Sequence, residues 1–120
     1  MITTDHGPNR VNVTVFGEFT LADFKEFEEA VNFKLQFEGA VNVLMDLRQM
    51  VGFTVDVAWE EIKFSRRHAR DFGRIAVLTT DQWATWSAWV SQFFVEAEVQ
   101  VFEDEDDARA WLDEEVKAAG

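Results

Sequence analysis

The sequence predicts a single-domain α/β sandwich: an N-terminal hairpin plus a largely parallel mixed sheet of four to five strands flanked by about four helices. Two observations carry this. Short apolar runs alternate with amphipathic stretches of helical length, the pattern of crossover connections between parallel strands. The 120 residues hold 48% hydrophobic residues and show no repeat, low-complexity tract or linker, so residues 1–120 read as one domain with a real core.

The elements follow in order. Ile2 to Thr4 is a short extended segment, and Gly7-Pro8-Asn9 is a turn signal. Val11, Val13 and Val15 then alternate with polar or intervening residues, which completes a hairpin. Thr20 followed by Asp23 resembles a capping box, and Phe24, Phe27, Val31 and Leu35 recur at helical spacing before Gly39 closes the segment. Val41 to Met45, ending in Asp46, reads as a strand buried on both faces, and a loop carrying Gly52 follows. A second helix is expected over residues 55–71, with Val55, Ala58, Trp59, Ile62 and Ala69 on its core face. Ile75 to Leu78 is the next strand. Thr79-Thr80-Asp81 caps a third helix with Trp83, Trp86, Val90 and Phe93 as its stripe. Val99 to Phe102 is the last strand, and the acidic run from Glu103 to Asp107 opens a final helix through Ala108, Trp111, Leu112 and Val116.

Composition excludes several classes of function. The 23 acidic against 11 basic residues give a net charge of −12, which opposes nucleic-acid binding because phosphate contact needs a basic surface. With no cysteine there are no disulfides, thiolate metal sites or cysteine nucleophile, and a reducing cytoplasm is the expected compartment. The N-terminus lacks the basic-then-apolar pattern of a signal peptide, and no apolar run is long enough for an integral membrane segment.

Several segments together resemble the SpoIIAA-like family, small bacterial relatives of the STAS domain whose architecture is also similar to the CRAL-TRIO lipid-binding fold. They are Val43-Leu44-Met45-Asp46-Leu47, Gly52-Phe53, Trp59-Glu60-Glu61-Ile62-Lys63-Phe64, His68, Asp71-Phe72 and Arg74-Ile75-Ala76-Val77-Leu78. Asp81-Gln82-Trp83, Ala97-Glu98-Val99-Gln100-Val101-Phe102 and Ala108-Arg109-Ala110-Trp111-Leu112 complete the set. The resemblance implies a non-catalytic module that binds a protein or a small apolar ligand. Classical STAS anti-sigma-factor antagonists carry Asp-Ser at the start of the second helix, where the serine is phosphorylated. Here that stretch is Gly52-Phe53-Thr54-Val55-Asp56-Val57, with no Asp-Ser pair. Thr54 stands nearest, and its role as a helix cap outweighs one as a regulatory phosphosite.

No enzyme is expected. The serines are Ser65, Ser87 and Ser91 and the histidines His6 and His68; Ser65 and His68 share a helix, but no nucleophile elbow surrounds the serine. The six scattered glycines form no phosphate loop, and no cofactor or metal is implied. Asp46 stands out at the carboxyl end of a buried strand, where open α/β sheets bind ligands. The loops bearing Thr20, Thr54 and Thr80 are expected around the same crevice. The competing role for Asp46 is to accept backbone N–H groups in its own turn.

A second candidate surface is the basic stripe of the second helix, Lys63, Arg66, Arg67, Arg70 and Arg74, opposed locally by Asp71. It suits docking of an acidic partner or of anionic lipid headgroups; the competing role is neutralisation by Asp56, Glu60 and the acidic last helix. Aromatics off the core stripes, Phe33, Phe37, Phe64 and Trp89, form a third signal for a contact surface. The residues assigned to ligand or partner binding are therefore Asp46, Gly52, Thr54, Phe64, Arg66, Arg67, His68, Arg70 and Trp89. The expected function is a cytoplasmic protein-interaction module able to form a homodimer. The alternative is a carrier or sensor of an apolar small molecule or lipid in a helix–sheet pocket.

Overall fold

The turn signal at residues 7–9 produces a hairpin: β1 (Ile2–Gly7) runs antiparallel to β2 (Arg10–Phe19), with Gly7 opposite Arg10. This computed structural model describes residues 1–7, 10–36, 41–54, 56–57, 63, 71–80, 90 and 97–119. Beyond the hairpin come β3 (Val41–Phe53), β4 (Phe72–Leu78) and β5 (Glu98–Phe102). The five strands lie in the order β1-β2-β3-β4-β5, and every pair after the hairpin is parallel. The fold is thus an α/β domain built on a five-strand mixed sheet.

Alternation along the strands sorts side chains onto two faces. Val11, Val13 and Val15 of β2, Val43, Met45 and Leu47 of β3, and Ile75 and Val77 of β4 share one core. Helix α1 (Leu21–Leu35) covers that face with Phe24, Phe27, Ala30 and Val31, all buried. Leu44, Ala76 and Leu78 point the other way and form a smaller core with Ala108 and Leu112 of α2 (Glu105–Ala119). Two helices fall among the described residues, not four. The stretches expected to form the other two lie mostly outside them; Asp56, Val57, Lys63 and Val90 are helical, and Val57 and Val90 are buried in the α1-side core.

The capping box expected at α1 is present. Thr20 Oγ1 accepts the Asp23 N–H at 3.3 Å, and the Asp23 carboxylate accepts the Thr20 N–H at 3.0 Å. The same carboxylate accepts from the Met1 ammonium at 2.8 Å, which ties the start of β1 to the start of α1. Burial pushes the Asp23 carboxyl up, but hydrogen bonds from the Met1 ammonium and from the Thr20 backbone and hydroxyl outweigh it. The net position is below the ordinary value of 3.8.

A lowered folded-state value means that ionised Asp23 adds stability above the ordinary carboxylate range. That stability disappears as pH falls through the folded-state value. Asp23→Asn is expected to cost about 1 kcal/mol at neutral pH, the usual worth of a helix cap. It should also flatten the acid limb of stability below pH about 4. Urea unfolding across pH checks both; an unchanged acid limb would show that the pairing contributes nothing.

Candidate functional site

β3 changes character halfway along its 13 residues. From Val41 to Leu47 every residue is buried, whereas Arg48, Gln49, Val51 and Phe53 are exposed. The cause is the length of its neighbour. β4 ends at Leu78, opposite Asp46, and from there to Phe53 the strand pairs with β2 alone among the described residues.

Two irregularities mark this overhang. The pairing passes from Thr14↔Asp46 to Phe16↔Gln49, and from Gly17↔Met50 to Glu18↔Gly52, so β3 gains an unmatched residue each time. The second is Val51, which stands 78% exposed while neighbouring Met50 is buried. Gly17, opposite this bulge, has φ of +64°, a left-handed conformation that favours glycine.

This geometry corrects three sequence expectations. The strand does not stop at Met45: Leu47 and Met50 supply buried anchors, and the second half of β2 supplies hydrogen bonds. Asp46 therefore lies mid-strand, at the end of the β3–β4 ladder, and Gly52 lies in a strand and not in a loop. The single crevice of Asp46 with Thr20, Thr54 and Thr80 becomes two places. Thr54 donates its N–H to Phe19 O at 3.0 Å, which sets it beside Thr20. Thr79 and Thr80 follow Leu78, the partner of Asp46. Gly52 lies six residue steps beyond Asp46 along the strand, about 20 Å at 3.3 Å per step.

Asp46 is held by its own strand. Arg48 donates its backbone N–H to Asp46 Oδ1 at 3.0 Å, its Nε to the same oxygen at 3.0 Å, and its Nη2 to Oδ2 at 2.7 Å. Arg48 also lies 3.8 Å from Glu105, which in turn pairs with Arg109 at 3.1 Å. The hydrogen bonds to Asp46 raise the Arg48 guanidinium above its ordinary value against the opposing effect of burial, with the Asp46, Glu105 and Asp104 charges adding to the rise. The chain of ion pairs spans the first bulge and ties β3 to the first turn of α2, whose N-terminal N–H groups Asp104 caps. Arg48→Ala is expected to cost about 1–2 kcal/mol, since it leaves a buried carboxylate with fewer donors. Because Arg48 is partly exposed, the loss should shrink at high salt in urea titrations.

Thr54 begins the next helical turn: its carbonyl accepts the Val57 N–H at 3.2 Å, and Asp56 Oδ1 accepts the same donor at 3.1 Å. The Thr54 hydroxyl is buried without a hydrogen-bond partner. Arg74 is corrected as well. It stands in β4, not on the basic helix stripe, donates Nη1 to Trp111 O at 2.9 Å and packs 4.8 Å from the Trp111 ring. Arg10, which is buried, reaches Asp113 at 2.7 Å, so two sheet arginines hold the middle of α2. Of the off-stripe aromatics, Phe33 is 52% exposed and lies 5.2 Å from the His6 ring. Phe37, Phe64, Arg66, Arg67, His68, Arg70 and Trp89 lie outside the described residues. Among the described residues no group of three or more His, Asp or Glu side chains could hold a metal ion, and no helix is long and apolar enough to cross a membrane.

Sequence reading missed Arg48 and Val51. The first had a signal, a cation two residues from Asp46 on a strand. The second had none, because a bulge depends on how a neighbouring strand is paired.

An uncharacterized protein with a SpoIIAA-like fold from Shewanella loihica PV-4 is 22% identical with a TM-score of 0.74, over 93% of this chain and 92% of that one. The unphosphorylated anti-sigma factor antagonist SpoIIAA is 15% identical with a TM-score of 0.58, over 93% of this chain and 97% of that one. An anti-sigma factor antagonist from Mycobacterium paratuberculosis is 15% identical with a TM-score of 0.54, over 92% of each chain. These likenesses show the fold. No curated protein matches the sequence. The SpoIIAA-like family model matches residues 10–113, and the chain belongs to the SpoIIAA-like family.

Proposed function

We propose that this protein is a non-enzymatic regulatory module of the cytoplasm that works by binding another protein at the β3 overhang and the helical turn after it. One observation carries the reading. Among the described residues four large hydrophobic side chains are exposed, and two of them, Val51 and Phe53, stand together on this overhang. An exposed apolar pair beside a helix start is what a partner surface needs and what a solvated strand avoids. The shared fold supports the reading, since two similar structures are anti-sigma factor antagonists. Gly52 and Thr54 belong to this surface. Asp46 supports it through Arg48, and Phe64, Arg66, Arg67, His68, Arg70 and Trp89 remain sequence candidates for partner contact. The buried Thr54 hydroxyl caps no N–H group and is out of a kinase's reach unless the turn opens.

Native mass spectrometry of the protein isolated from its own cells tests this reading. A complex with a second polypeptide is the expected result. A bound small apolar molecule in place of a polypeptide would establish a carrier instead, and the bare chain alone would remove the proposal.

A further inference from the structure

We infer that Val51 is the anchor of that interface, and that it inserts into an apolar socket of a partner protein rimmed by lysine or arginine. The inference rests on the protein-binding reading above and names the chemistry of the partner. The bulge between Gly17↔Met50 and Glu18↔Gly52 leaves Val51 without an opposite residue in β2. It turns a β-branched apolar side chain, ordinarily a strand's packing group, outward until the residue is 78% exposed. A bulge that re-aims one side chain while its neighbour Met50 stays in the core acts as a presentation device. Interface anchors have this form, one apolar group entering a pocket that closes around it.

Charge sets the partner's rim. Glu18, opposite Gly52 in the pairing, is exposed, and Asp56, two residues after Thr54, is exposed as well. Arg48, the cation on this part of β3, is already committed to Asp46 and Glu105. The Met1 ammonium, 3.1 Å from Glu18 O, is committed to Asp23. Glu18 and Asp56 are thus the exposed carboxylates nearest the anchor along the chain and its pairing, and a rim of Lys or Arg complements them. A second copy of this chain fits poorly, since each copy carries a net charge of −12 and would bring like charge to the contact.

The test uses the complete protein isolated from its own cells as wild type, Val51→Asp, Val51→Ile and the double reversal Glu18→Lys with Asp56→Lys. Val51 and Glu18 are exposed, so substitution there leaves the fold intact; Asp56→Lys removes one acceptor of the Val57 N–H, and thermal unfolding of each variant verifies that it is folded. Retention of the bound polypeptide is measured across salt, and a zero-length carboxylate-to-amine cross-linker then records which groups touch. The expected result is about tenfold or greater loss of retention for Val51→Asp, near-full retention for Val51→Ile, and a weakened, less salt-sensitive complex for the double reversal. Amide cross-links from Glu18 or Asp56 to lysines of the partner are expected in the wild type. Equal retention by Val51→Asp overturns the anchor while leaving the protein-binding reading in place. Cross-links from Glu18 or Asp56 only to this chain's own lysines in a second copy overturn the assignment of a different protein. Absence of any bound polypeptide in the wild type overturns both readings.

Discussion

Phe27→Ala is expected to lower the free energy of unfolding by about 3–5 kcal/mol, the range for removing a fully buried phenylalanine. Phe27 is 0% exposed and sits with Phe24 and Val31 against the β2 valines, so truncation removes ring contacts and leaves a cavity between α1 and the sheet. Urea unfolding measures the change. The midpoint should fall with little change in slope, because the surface exposed on unfolding is nearly the same. A loss below about 1 kcal/mol would be the cost of an ordinary exposed site, and would contradict the packing of α1 described above.

Leu112→Ala comes next, with an expected loss of about 2–5 kcal/mol. Its effect should be local as well as global. Among the described residues the second core contains five that are buried, Leu44, Ala76, Leu78, Ala108 and Leu112, so Leu112 carries a large share of the described contact that keeps α2 on the sheet. The ion pairs from Arg10 and Arg48 that flank α2 have exposed acidic partners and hold it weakly alone. Hydrogen exchange should therefore quicken in α2 well before α1 in this variant. Equal acceleration in both helices would show that the two cores unfold as one unit.

The parts of this structure legible in the sequence are those set by local patterns. Thr20 and Asp23 announce the capping box, and the Val11-Val13-Val15 alternation announces the buried face of β2. Val41 to Met45 and Ile75 to Leu78 read as buried strands because α1 and α2 take opposite faces of the same sheet. What the sequence conceals is where a strand outlasts its neighbour. Gly52 looks like a loop residue, yet β2 continues far enough to hold it in a ladder. Arg74 looks like part of a basic helix, although Phe72 and Ile75 already anchor it in β4.

The candidate site follows the same division. Asp46 and Thr54 were each visible as unusual positions, and Asp46 does accept a backbone N–H near itself as its competing role required. Their separation along the strand was not visible, because it depends on the unequal lengths of β3 and β4. The exposure of Val51 arises from pairing register, a long-range property that no run of adjacent residues encodes. The consequence is a shift of the proposed surface. It moves from the strand end at Asp46 to the overhang, with Arg48 as the link between them.

The most direct test of the central claim, that a partner docks at the overhang, is photo-cross-linking inside the source cells. A photoreactive amino acid replaces Gln49, exposed on the overhang, or Lys25, exposed on α1 as the control position. The account predicts one dominant adduct with another polypeptide from position 49 and none from position 25. An adduct from position 25 without one from position 49, or no adduct from either, would contradict it.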